Sequence, residues 1–142
     1  AMSAQKFYLG DSEQARYLKL VVNLLVGTTG AVLAEALTLG RKGGLEWEQM
    51  LDVIGASVAA SPYVQYNLAP LKARNFSPLF STEQMVKDSK LICDAGDSAG
   101  VPLAIGGAML QMFMDTVEAG YGEDNLTAAI KLLEQRSGLD DL

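Results

Sequence analysis

The 142-residue sequence contains no histidine and one cysteine, Cys93. Without an imidazole, a Ser-His-Asp triad, an H-E-x-x-H zinc site and histidine acid/base catalysis are all excluded. Proton transfer would therefore fall to a lysine or a carboxylate. A single cysteine cannot form an internal disulfide, which favours a reducing compartment, the cytoplasm first. Because Cys93 lies in an amphipathic run, it is more typical of a core residue than of a nucleophile.

The sequence also lacks an excess of basic residues. It has 11 Lys and Arg against 17 Asp and Glu, a net charge of −6. This charge argues against nucleic acid or an anionic membrane as a partner. No metal-ligand pattern is present, and no G-x-G-x-x-G fingerprint follows a strand. With 49% hydrophobic and 20% charged residues, the composition is that of one globular domain.

Residues 11–40 form the stretch around which the chain is organised. Apolar residues in the segment 18–39 surround the helix axis almost completely, which predicts one long helix that is buried rather than half-exposed. The segment is long enough to span a bilayer, but Lys19, Asn23 and Glu35 lie within it. We therefore predict a core helix and no membrane association.

The polar positions of this helix share a face. Lys19 and Asn23 are four residues apart, so their side chains are neighbours. Gly27 and Gly30 continue the same face, which predicts a stripe of small and polar residues with open space beside the lysine. The alternative is that Lys19 is an ordinary solvated lysine near a helix start.

Lys6–Leu9 is the one good strand candidate in the sequence. The remaining elements are helices, whose starts are predicted from capping signals. Ser61 followed by Pro62 indicates a helix start, and Ser81 with Gln84 fits a capping box. The predicted helices after the long one run from Trp47 to Ile54, from Pro62 towards Arg74 with a kink or an earlier end at Pro70, from Thr82 to Gly96 or Gly100, from Leu103 to Glu118, and from Leu126, capped by Asn125, to Arg136. The sequence predicts an all-α bundle of six or seven helices around the long buried helix.

Two further groups have alternative interpretations. Lys87 and Asp88 lie on the helix that follows the capping box, where a charged pair is usually a solvated face. Phe80 lies in the aromatic loop before that helix, where it would ordinarily anchor the core.

The segment FYLGDSEQARYLKLVVNLLVG resembles the junction between the two domains of the β-hydroxyacid dehydrogenases, in which a Gly-rich turn leads into a helix carrying K-x-x-x-N. The resemblance implies that Lys19 is the catalytic acid/base and that Asn23 helps to hold the substrate. Glu13 and Ala15 stand where the family tends to have further glycines.

A second segment, VKDSKL, resembles the K-D-L segment of the same family, with Ser89 in place of the leucine. The resemblance implies that Lys87 contacts the nicotinamide cofactor, that Asp88 helps to order the substrate site, and that Phe80 closes over the substrate. The two motifs and the Phe loop occur in the family's order and at similar spacings.

The resemblance implies a fold like the C-terminal domain of the 6-phosphogluconate dehydrogenase superfamily. Residues 1–10 are expected to be a tag remnant at Ala1 followed by a strand stub and linker from an N-terminal nucleotide-binding domain that is missing, and residues 11–142 a helical substrate and dimerisation domain. The parent protein would be an NAD- or NADP-dependent oxidoreductase acting on a small 3-hydroxy acid or its semialdehyde. The missing domain would hold most of the cofactor, so the fragment alone should be inactive.

The apolar surface of the long helix and of the Met-rich helix 103–118 exceeds what a domain of this length needs to bury, which predicts a homodimer. The competing hypothesis is a helical dimerisation or interaction module without enzymatic activity, in which Lys19 has no catalytic role.

Overall fold

A computed structural model describes residues 5–140. Ala1, predicted to be a tag remnant, and the end of the acidic tail at Asp141 and Leu142 lie outside the described residues. The six helices are α1 (Gln14–Lys42), α2 (Trp47–Ala56), α3 (Pro62–Lys72), α4 (Thr82–Ala99), α5 (Ala104–Thr116) and α6 (Ala129–Arg136). A π-helical turn (Val117–Tyr121) and a 3₁₀ turn (Leu126–Ala128) join the last two helices. The predicted all-α bundle is confirmed.

Helix α1 is the centre of the bundle and packs against α4, α5 and α6. Its core face includes Leu33 and Leu37. The prediction that it is buried all round is wrong, because Leu25, Val32 and Leu39, spaced seven residues apart, are 65%, 55% and 74% exposed. The other helices cover only one side of α1, so one apolar stripe stays uncovered.

By length and composition alone, α1 is apolar enough to cross a membrane, and it is the one such helix among residues 5–140. The core helix of a soluble protein passes the same test. Because its inner face packs on three other helices, its apolar composition has an explanation in the bundle itself.

The helix starts predicted from Ser61 and Ser81 are confirmed. The Ser61 side chain accepts a hydrogen bond from the Val64 amide, with Pro62 at the first helical position of α3. At α4, Ser81 and Gln84 form the complete reciprocal capping box. These caps set the register of both helices, and α4 carries Asp88.

Several sequence-based elements differ in the structure. The helix predicted from Leu126 begins as a 3₁₀ turn and is α-helical only from Ala129, and α2 ends at Ala56 rather than Ile54. Lys6–Leu9 forms no strand, because residues 5–140 contain no second strand that could pair with it. Its assignment to a sheet completed by other residues stays a prediction. Helix α5 ends at Thr116 rather than Glu118, where the chain changes to the π-helical turn and Gly120 adopts φ of 97°.

A buried ion cluster fastens α6 to α1 and to the segment after α3. The Glu134 side chain is 1% exposed and accepts hydrogen bonds from Arg41 at 2.7 Å and from both terminal nitrogens of Arg74 at 2.9 and 2.7 Å. Arg74 also stacks over Trp47 and Phe76, with its guanidinium carbon 5.0 and 5.4 Å from the two ring centroids. The cluster thereby anchors the start of the loop that carries Phe80.

Candidate functional site

One hydrogen bond joins the two motifs that the sequence analysis singled out. Asn23 Nδ2 on α1 donates to Asp88 Oδ2 on α4 at 2.8 Å, although the residues are 65 positions apart. Both side chains are half-buried at the contact between the two helices. The bond fixes the direction of the Asn23 amide and leaves the second carboxylate oxygen of Asp88 for another donor.

Two lysines flank this pair. Lys19 lies one helical turn before Asn23 on the same face of α1, and Lys87 directly precedes Asp88 on α4. Both side chains are exposed, and within residues 5–140 neither makes a hydrogen bond or an ion pair. Their amines are therefore free to contact a ligand. The catalytic role of Lys19 and the cofactor-binding role of Lys87 stay predictions.

Asn23 also lines a cleft of about 200 Å³ between α1, α3 and the loop before α4. Phe80 lies on its wall, and its closing role stays a prediction. The polar side chains of the lining belong to Asn23, Tyr63, Tyr66, Asn67 and Asn125, and the rest of the lining is Val26, Leu79, Phe80, Met85 and Leu126. The structure thus brings Asn23, Asp88 and Phe80 to one place.

Tyr63 is a site residue that the sequence analysis missed. Its hydroxyl is buried and has no hydrogen-bond partner among residues 5–140, and burial raises the pKa of Tyr63. The position follows the N1 proline of α3 and reads in the sequence as an ordinary core aromatic, so no sequence signal marks it.

The small-residue stripe on α1 is packed rather than open. A Cβ atom at Gly27 would lie 2.6 Å from Met109 Sδ, and one at Gly30 would lie 2.3 Å from Leu126 Cδ1 and 3.0 Å from the Tyr63 hydroxyl. The expected open space beside the lysine therefore does not extend along the glycines. These positions instead leave room for the side-chain ends of Met109, Met85, Leu126 and Tyr63 against α1.

No group of three or more His, Cys, Asp or Glu side chains within residues 5–140 could hold a metal ion. Cys93 is free and half-buried, and burial is the main cause that raises the pKa of its thiol. A raised thiol pKa disfavours the nucleophilic thiolate, in agreement with a packing role.

The free lysines, the Asn23–Asp88 pair and the adjacent cleft all lie within the part of the chain that matches a known protein family. A sequence profile described as "NAD-binding of NADP-dependent 3-hydroxyisobutyrate dehydrogenase" matches residues 14–133. The chain therefore belongs to the 3-hydroxyisobutyrate dehydrogenase family, and the resemblance to the β-hydroxyacid dehydrogenases is confirmed.

Individual relatives are similar to this chain over most of its length. The chain is 34% identical to 2-(hydroxymethyl)glutarate dehydrogenase of Eubacterium barkeri over 134 residues, which are 94% of this chain and 44% of that protein. A crystal structure of 3-hydroxyisobutyrate dehydrogenase from Salmonella typhimurium matches with a TM-score of 0.84 at 26% identity, covering 89% of this chain and 45% of that one. The chain is also 26% identical over 131 residues to the cytokine-like nuclear factor N-PAC of Gallus gallus, covering 92% of this chain and 24% of that protein. It spans less than half the length of each of these proteins.

Proposed function

We propose that this chain is the substrate-binding half of an NAD- or NADP-dependent oxidoreductase that interconverts a small 3-hydroxy acid and its semialdehyde. The observation that carries the proposal is the hydrogen bond of Asn23 to Asp88 beside the unpaired Lys19. An amide held in a fixed direction can position a substrate oxygen, and a free amine one turn away can exchange a proton with it.

In the oxidative direction, Lys19 accepts the proton of the substrate hydroxyl as the carbon that bears it becomes a carbonyl. In the reductive direction, Lys19 returns a proton to the oxygen of the semialdehyde. Asn23 orients the reacting oxygen, and Asp88 holds Asn23 in place through the 2.8 Å hydrogen bond. Phe80 covers the site and limits access of water.

The family assignment supports the use of NAD or NADP. A nicotinamide cofactor, when bound, supplies the hydride acceptor and donor. In this chain Lys87 fits a contact with such a cofactor, because its amine is exposed and unpaired next to Asp88. The Gly-rich turn that would cradle the pyrophosphate has no counterpart in the sequence, so we assign that task to a preceding domain.

The assignment of pyrophosphate binding to a preceding domain is tested by titrating the 142-residue chain with NAD and NADP in a calorimeter. We expect weak binding or none and no turnover, whereas the parent protein should reduce NAD or NADP with a 3-hydroxy acid. Micromolar nucleotide binding by the chain alone would contradict the assignment of the cofactor to another domain. Absence of turnover by the parent protein with every 3-hydroxy acid would contradict the enzymatic function itself.

We further propose that the chain forms a homodimer through the exposed stripe of α1, defined by Leu25, Val32 and Leu39. The stripe borders two apolar clefts of about 700 and 310 Å³, which Leu39 and Val32 respectively help to line. A seven-residue apolar spacing is the pattern that pairs helices with each other, so a second copy is the occupant we assign. The free Cys93 fits a reducing compartment, for which we propose the cytoplasm.

The second candidate is a helical interaction module without enzymatic activity. It is favoured by the match to N-PAC, whose name describes a nuclear factor rather than a dehydrogenase. The two candidates share the fold and the dimer but differ at Lys19, which has a role only in the enzyme. Turnover by the parent protein decides between them.

A further inference from the structure

The loop before α4 is fastened at both of its ends to one turn of the chain. At the start of the loop, the Phe76 carbonyl accepts a hydrogen bond from the Asn125 amide at 2.9 Å. At its end, the amide and the hydroxyl of Thr82 donate to the Asp124 carbonyl at 2.8 and 3.1 Å. Phe80 lies between these two anchors and on the wall of the cleft. The position of Phe80 therefore depends on Asp124 and Asn125, which we call the anchor turn.

Lys131 on α6 contacts both anchors. Its Nζ atom lies 2.9 Å from Asp124 Oδ2 in the anchor turn, and 4.6 Å from the ring centroid of Phe76 at the start of the loop. A third contact, at 5.0 Å from the Tyr121 ring centroid, joins the amine to the π-helical turn. A cation over an aromatic face is attracted by the ring quadrupole, more strongly where water is partly excluded. The Lys131 side chain is only 27% exposed, so its ammonium group lies largely out of water.

The influence of Lys131 on a ligand has to be indirect. Within the part of the chain that the structure describes, ten residues line the cleft and Lys131 is not one of them. It can act on a bound molecule only through the groups that it holds, and Phe80 is the aromatic side chain between the two anchors. Fixing a loop costs conformational entropy, and a loop whose ends are already held loses less of it when a ligand binds.

We propose that Lys131 is a positioning residue of the dehydrogenase: it holds both ends of the loop that carries Phe80, so that the Phe80 ring covers the substrate without first having to be ordered. The proposal rests on the proposed dehydrogenase function, in which Phe80 covers the site. It gives α6 a role in the reaction, whereas the two sequence motifs lie on α1 and α4.

Amide hydrogen exchange tests the two anchors in the 142-residue chain. Lys131→Met keeps the length of the side chain and removes its charge, while Lys131→Arg keeps a cation that can pair and stack. We expect Lys131→Met to accelerate exchange of the Thr82 and Asn125 amides about tenfold and Lys131→Arg to retain most of the protection. Lys72→Met, which breaks the ion pair of α3 with Asp52, is the control and should leave both amides unchanged. Unchanged exchange at either amide in Lys131→Met would overturn the proposal.

Steady-state kinetics of the parent protein separate positioning from a loss of folded protein. A ring that covers the substrate strengthens its binding without entering the chemical step, so release of the ring raises KM and leaves kcat. The probe is 3-hydroxyisobutyrate or 2-(hydroxymethyl)glutarate, whichever the parent protein oxidises faster. We expect Lys131→Met to raise KM for this acid by about fivefold to tenfold, with kcat and the KM of the cofactor within about twofold of wild type. A lower kcat at an unchanged KM, which fewer folded molecules would give, contradicts the role.

A double-mutant cycle shows whether Lys131 acts through Phe80. Phe80→Ala should itself raise KM for the same acid, and adding Lys131→Met to it should change KM by less than about twofold further. Increases in KM that multiply would mean that Lys131 acts by another route, and the proposal would fail. The exchange measurement does not depend on turnover. Faster exchange in Lys131→Met, combined with a parent protein that oxidises no 3-hydroxy acid, would support the hold of Lys131 on the loop and refute the dehydrogenase function.

Discussion

Replacing Glu134 by glutamine tests the ion cluster that holds the bundle together. The substitution keeps the size of the side chain but removes the negative charge that faces Arg41 and Arg74. Removing one partner of a buried ion pair typically costs about 3–5 kcal/mol, because the remaining charge is left uncompensated. The two arginine side chains are 11% and 16% exposed, so water can reach them in part, and we expect a value near the lower end, about 3 kcal/mol.

The expected change in melting temperature follows from the size of the chain. With an unfolding entropy of about 2.1 cal/mol/K per residue, a loss of about 3 kcal/mol lowers Tm by about 10 °C. Thermal and urea unfolding followed by circular dichroism measure both quantities. Glu118→Gln, at an exposed position on the π-helical turn, is the matched control and should change the free energy of unfolding by less than about 0.5 kcal/mol.

A loss below about 1 kcal/mol for Glu134→Gln would refute the reasoning, since the cluster would then contribute no more than an exposed ion pair. The cluster also anchors the start of the loop that carries Phe80. We therefore expect the variant to show increased amide hydrogen exchange in residues 73–80 before the rest of the chain is affected.

Two further predictions concern packing and assembly. Gly30→Ala places a methyl group 2.3 Å from a leucine carbon and should destabilise the fold by about 1–3 kcal/mol. The methyl group of Gly107→Ala meets nothing within 4 Å, so this control should stabilise α5 by up to about 1 kcal/mol. Equal changes in the free energy of urea unfolding would contradict the close contact at Gly30. The mass measured by light scattering should fall from that of a dimer to that of a monomer in Leu25→Glu and in Leu39→Glu. Leu91→Glu, on the exposed side of α4, is the control and should keep the dimer mass. A monomer mass for the wild-type chain would refute the dimer.

The helix order and the caps could be predicted because they depend on local chemistry. Ser61, Ser81 and Asn125 each accept a hydrogen bond from a backbone amide two or three residues on, and that geometry can be read from the sequence. The half-exposed state of α1 could not be predicted in this way. Its apolar pattern shows that the helix avoids water but not how many neighbours cover it.

The residues of the candidate site and of the ion cluster also differ in how far the sequence alone indicates their contacts. Asn23 was singled out by the helix face that it shares with Lys19, and its site role and that of Asp88 by resemblance to a family. Nothing in the spacing of two residues 65 positions apart indicates the hydrogen bond between them. Glu134 was missed because charged residues in an amphipathic helix normally face water. Tyr63 was missed because the lack of a partner for its hydroxyl is a property of the packed structure and not of the sequence.

The most direct measurement of the central claim is the turnover number of Lys19→Ala in the parent protein under saturating 3-hydroxy acid and cofactor. Loss of a general acid/base should lower kcat by about 10²–10⁴-fold, while circular dichroism and Tm stay near the wild-type values because the side chain is exposed and unpaired. Lys90→Ala, at an exposed lysine on α4, is the control and should keep its kcat. A Lys19→Ala variant with near wild-type kcat from pH 6 to about pH 10 would contradict the assignment of Lys19 as the group that moves the proton.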